Sequence, residues 1–443
     1  MKEDQREFPS MEKRELQYRK ILKKSPLLYK TAAQVKKKKR DTEPVSVSYV
    51  LVPSLINFVS WALEEAEKKG IKRLYFLARD GYLMYLAASR LCEKWKLPIQ
   101  CRYLYCSRYS VRIPLFHLDM RQALELICRR GLLVTPEKIM ERAGLTGEEG
   151  KKILEDLDLP YSPDSCLSHD ELKMLKDRLF HCGDFLESVK KHSMERFQNF
   201  CGYIKQEGLL EEIPSAFVDS GWLGSMQELL NEACALLGRK SRIEGFYWGL
   251  YELPRQIQGE EYHCFFFSPF HGLINKLYFN NCLFEAVFTA PHGMTLGYVK
   301  KEGYQPVLGV PLKERHDFLM NFADLLEEYI KALPLGCTLP ALGKEALKSR
   351  KIIRKLFYLL TVQPTIEEAE FFGSFLFSDE VLEGQEHELA PPLSPDERIS
   401  PGKTVWYEGS IVRGRKKTAF SIQGYLFYKA CRLLFQMVRQ VKK

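Results

Sequence analysis

The chain has 443 residues, 45% hydrophobic and 12% aromatic, enough to fill two or three packed cores and to exclude wholesale disorder. Its net charge of +9 is uneven: residues 1–45 hold 14 Lys/Arg against 7 Asp/Glu, residues 401–443 hold 10 against 1, and the stretch between holds 42 against 49. No stretch reaches the ~20 uninterrupted apolar residues of a membrane span, and the opening MKEDQREF is charged where a signal peptide is apolar, so a cytoplasmic protein is expected.

The 12 cysteines are scattered and show no C-x-x-C spacing, which reads as reduced, mostly buried thiols. Cys101 and Cys106, the closest pair, point to opposite faces if both lie on one strand, which disfavours joint metal ligation.

Residues 1–45 read as a basic, solvated arm ending in the block Lys36–Arg40, with contact to an anionic membrane or a nucleic acid as the functional alternative. Apolar residues at helical spacing between Pro53 and Lys69 predict a helix that Gly70 stops. Leu74 to Ala78 is a near-continuous apolar run, as in a central parallel strand. A second helix over 82–95 and a strand from Ile99 to Cys106 complete an α/β unit over 46–114.

Residues 115–210 read as a helical insertion with cap signals at Thr135-Pro136-Glu137 and Ser168-His169-Asp170-Glu171. Thr135 to Leu154 could pass for a helix-turn-helix, but the mixed charge makes nucleic acid the less favoured partner. The α/β pattern resumes over 211–300: a strand from Ser215, the loop Asp219–Ser225, a helix from Met226 to Leu237 and a strand from Ile243 to Tyr251. Helices follow over 301–390, and 391–443 reads as a proline-containing linker before a basic amphipathic helix.

Two Gly-containing loops, each joining a strand to a helix, would lie at the carboxyl ends of neighbouring parallel strands, where open α/β folds place ligands. Phosphate chemistry asks for amides at a helix start, fixed guanidinium groups and carboxylates that hold magnesium or orient hydroxyls. Arg79, Asp80, Gly81 and Tyr82 offer these in one loop, with Asp219, Ser220, Gly221, Trp222, Gly224 and Ser225 in the other, and Ser107 and Arg108 follow a third strand. The bland alternative makes Asp80 and Asp219 helix caps and pairs Arg79 with Asp80. Glu285, alone in an apolar run, and His292, between Pro291 and Gly293, are further candidates for a catalytic base beside Asp80.

Four segments, YFLARDGYLMYLA (75–87), YLYCSRYSVRIP (103–114), FVDSGWLGSMQELL (217–230) and FEAVFTAPHGMTLGY (284–298), together resemble a module of bacterial polysaccharide-biosynthesis proteins. In those proteins the module follows a haloacid-dehalogenase-like phosphatase, and it is similar to the phosphoribosyltransferases that add ribofuranose to capsule and O-antigen chains. The resemblance spans roughly residues 50–300 and implies a Rossmann-like, phosphoribosyltransferase-type parallel sheet. It implies transfer of ribose 5-phosphate from phosphoribosyl pyrophosphate to a lipid-linked glycan acceptor, with Mg2+ as cofactor and Asp219 as its ligand. In this sequence the segment before residue 45 is too short for the phosphatase, so a separate phosphatase is expected to act next.

Two rivals stand beside that reading. One is a haloacid-dehalogenase-like phosphatase with Asp80 as nucleophile, although Tyr82 stands where that family needs an acid. The other is a non-catalytic scaffold of a polysaccharide-assembly complex. The basic carboxyl helix either rests on the inner face of the cell membrane as a peripheral contact or packs with a solvated face.

Overall fold

The computed structural model describes residues 9–36, 43–131, 134–254, 260–311, 313–334, 336–377, 387–393, 404–414 and 419–441. Five strands, β1 (Arg73–Leu77), β2 (Gln100–Leu104), β3 (Ser215–Trp222), β4 (Glu244–Leu250) and β5 (Tyr262–Phe267), form one sheet in the order β2-β1-β3-β4-β5. Every pairing within this sheet is parallel, so the expected α/β class holds, and the two further strand pairs, Thr295–Lys300 with Tyr304–Leu308 and Leu376–Phe377 with His387–Glu388, are antiparallel. The aromatic run at 262–270 supplies β5, an edge strand that the sequence pattern did not separate from a loop.

Alternation along β1 divides the interior into two layers. Leu74 and Phe76 face a core shared with the helix Val52–Lys68, while Tyr75 and Leu77 face a second core under the helices Gly183–Gln206 and Ser225–Leu236. All of β1 is buried, which explains its unbroken apolar sequence. The segment Val47–Lys68 is long and apolar enough to cross a membrane, contrary to the expectation that no segment qualifies. It is buried along its whole apolar window, as the central packing helix of the fold.

The helical insertion is found between β2 and β3, with its own core around Ile139, Leu175 and Phe185. Ser168 and Glu171 form the expected capping box. Thr135 caps the helix Pro136–Arg142.

The amino-terminal region departs from expectation. Residues 11–36 are not a solvated arm but two helices, Met11–Leu22 and Pro26–Lys36, with Tyr18, Leu22, Leu28 and Ala32 in the main core. Arg14, fully buried, lies 3.9 Å from the equally buried Glu368, and the Tyr18 hydroxyl donates to that carboxylate at 2.7 Å. The basic charge count hid an apolar helix face. Lys37–Arg40, Pro395 and Pro401 lie outside the described residues.

Candidate active site

The chain leaves β1, makes its crossover to β2 on one side, and then returns to place β3 on the other side of β1. That reversal opens a crevice at the carboxyl ends of β1 and β3, the position at which sheets of this order hold their ligands. A cavity of about 700 Å³ occupies it, lined by residues of both predicted loops.

Asp80 ends the β1 loop and Asp219 lies on β3. The Asp80 carboxylate does not cap the following helix. It accepts a hydrogen bond from the Ser220 hydroxyl instead, so the bland cap reading fails for this residue. Burial raises the Asp80 carboxyl above the ordinary carboxylate range, against the pull of Ser220, Arg79 and Arg108. Burial also raises Asp219, and the neighbouring Asp80 charge raises it further, despite amide donation from Ser220 and Gly221. The negative charge of Asp80 thus disfavours a second charge on Asp219, so the two groups titrate in dependence on each other.

The β3 loop depends on glycine. Gly221 has φ of +113°, and a Cβ there would come 2.6 Å from the Gly249 carbonyl oxygen on β4. Trp222 follows at φ +69°, which turns its indole over the cavity. The indole N–H donates to the Glu285 carboxylate from the helix Asn281–Val287. Gly81 serves packing: a Cβ there would meet the Phe76 carbonyl carbon at 2.9 Å, and Gly81 is not part of the cavity wall.

The structure brings together Arg79, Asp80, Ser107, Arg108, Asp219, Ser220, Gly221, Trp222, Gly224, Ser225 and Glu285 around this one cavity. Ser107 is committed mainly to structure, since it caps the helix Arg108–Arg112 and donates to the Thr295 carbonyl at 2.6 Å. Tyr82 and His292 stand apart from the lining. Tyr82 packs edge-on against Tyr103, and the His292 ring nitrogens lie 2.8 Å from the Tyr103 hydroxyl and 2.8 Å from the Gly293 carbonyl. A loop histidine between proline and glycine looked available in sequence; in the fold it is a structural member of a tyrosine cluster.

Sequence reading missed one wall of the cavity. Tyr425, Tyr428, Lys429, Arg432 and Gln436 line it from the carboxyl-terminal helix Ala419–Val441. Their spacing places them on a single helix stripe, a signal visible in the sequence but without any local motif to attach it to a site. Lys429 donates to the Phe279 carbonyl at 2.9 Å and lies 4.0 Å from buried Glu408, which fixes the helix over the cavity.

No known family matches the chain, and no curated protein is similar to it.

Among the described residues no three His, Cys, Asp or Glu side chains gather into a metal cage. Asp219, a carboxylate in the cavity wall, nevertheless fits Mg2+, which binds through one or two carboxylates and completes its shell with water and substrate phosphate. A cation held there would offset the like-charge repulsion that Asp80 exerts on Asp219.

Proposed function

We propose that this protein is a phosphoribosyltransferase of the glycosyltransferase kind, which moves ribose 5-phosphate from phosphoribosyl pyrophosphate to a lipid-linked sugar acceptor in surface polysaccharide biosynthesis. The observation that carries the reading is the placing of Asp80 and Asp219 in one cavity at the sheet's reversal point, with Arg108 acting on both carboxylates and Arg79 on Asp80. Guanidinium groups there suit the pyrophosphate, and the β3 loop suits the ribose phosphate. Bound Mg2+ would be held by Asp219 and would neutralise the departing pyrophosphate.

The reaction breaks the bond from ribose C1 to the pyrophosphate oxygen and forms one from C1 to the acceptor oxygen. Pyrophosphate leaves with the bonding pair, and the acceptor proton passes to a carboxylate. Asp80, raised toward neutrality by burial, is suited to that role, with Glu285 the second candidate. His292, away from the cavity, is not assigned a role. The product keeps its 5-phosphate, whose removal is a phosphatase step distinct from the transfer.

The rival phosphatase reading is weaker here: Tyr82, at the position of that family's acid, points into the tyrosine cluster and carries no carboxylate. Incubation with phosphoribosyl pyrophosphate, Mg2+ and candidate acceptors should release pyrophosphate, and Asp219→Ala and Arg79→Ala should each abolish release while the protein stays folded. Full activity in both variants would overturn the assignment. An acyl phosphate on Asp80 would favour the phosphatase, and failure to bind phosphoribosyl pyrophosphate at all would favour the scaffold.

A further inference from the structure

The carboxyl-terminal helix Ala419–Val441 has two opposite faces. One carries Tyr425, Lys429, Arg432 and Gln436 into the cavity and buries Leu433. The other exposes Phe427 (74%), Leu434 (50%), Phe435 (70%) and Val438 (55%), spaced as one continuous stripe. Large apolar side chains left in water along a helix mark a surface that meets something apolar.

The charge pattern identifies that partner. The helix contains no Asp or Glu, and the exposed Arg439, which is not part of the cavity lining, borders the stripe. Over residues 401–443 the sequence holds 10 Lys/Arg and a single Asp/Glu, the buried Glu408. Pairing with a second copy of the same helix would set cation against cation with no carboxylate on the helix to compensate. An anionic bilayer supplies both requirements at once, hydrocarbon for the stripe and negative headgroups for its basic border.

We propose that Ala419–Val441 lies flat on an anionic lipid bilayer with Phe427, Leu434, Phe435 and Val438 inserted among the acyl chains. The cavity stands on the other side of the same helix, so the helix that forms one cavity wall is also the element that rests on the bilayer. The docking surface stands on the helix alone. That the cavity thereby receives a lipid-linked acceptor rests on the transferase reading.

Vesicle sedimentation of the full chain, with no phosphoribosyl pyrophosphate or acceptor present, tests the docking separately from the chemistry. The protein should sediment with vesicles of phosphatidylglycerol and phosphatidylcholine, and more weakly with phosphatidylcholine alone or at high salt. Phe427→Glu/Phe435→Glu should weaken binding at least about tenfold, and Arg439→Gln about fivefold on the anionic vesicles only. These side chains are exposed, so far-UV circular dichroism should match the wild type; should the double variant misfold, Phe435→Ser carries the same test. Wild-type protein that stays in the supernatant, or a folded variant that sediments like wild type, would overturn the proposal. So would light scattering that shows a wild-type dimer and a monomeric variant, which would assign the face to a second copy.

Discussion

The Ser220 hydroxyl donates to the Asp80 carboxylate across the seam between β1 and β3, joining residues 140 positions apart in sequence. This bond ties the two loops into one wall and leaves the Asp219 carboxylate beside it. Ser220→Ala should therefore act on the site more than on the fold. It should lower kcat for pyrophosphate release roughly tenfold and raise the pKa of the acid limb in the pH–rate profile, since a donor to the ionised form of the base is lost. An unchanged profile would show that Ser220 is only packed there.

The carboxylate pair predicts how stability depends on pH. Both groups are raised on folding, so the folded state holds their protons more tightly than the unfolded state. Their contribution is full below the unfolded carboxylate pKa near ~4 and is lost as pH rises through the raised values. In metal-free buffer the thermal midpoint should fall across that window, and Asp219→Asn should flatten the fall. Mg2+ should raise the midpoint of the wild type at neutral pH and do little for the variant.

Gly221 carries the turn that aims Trp222. Gly221→Ala forces a Cβ against the β4 backbone in a left-handed conformation and should cost about 2–4 kcal/mol, read as a lower urea midpoint. Trp222→Phe instead keeps an aromatic ring against Phe279 and Phe284 but removes the donor to Glu285. It should lower turnover with a smaller loss of stability, about 1–3 kcal/mol.

The amino-terminal helices should prove integral to the fold. Arg14→Ala leaves Glu368 buried without its cation and should cost about 3–5 kcal/mol by denaturant titration. A loss below ~1 kcal/mol, the level of an exposed ion pair, would return residues 11–22 to the solvated arm that their composition suggested.

Local pattern made much of this protein legible. The uninterrupted apolar run of β1, the helical spacing after Pro53 and the Gly-containing loops after β1 and β3 all follow from backbone period and turn chemistry within a few residues. The two carboxylates and the two arginines could be named from the same local signals. What local pattern could not decide was which side chains converge. The strand order put Asp80 beside Asp219 and Ser220, while His292, equally prominent in sequence, was drawn into a tyrosine cluster. Tertiary packing also turned a basic amino-terminal segment into core helices and brought one stripe of a distant carboxyl-terminal helix to the cavity. Both outcomes depend on contacts hundreds of residues apart, where burial of an apolar face outweighs the charge count of the segment that bears it.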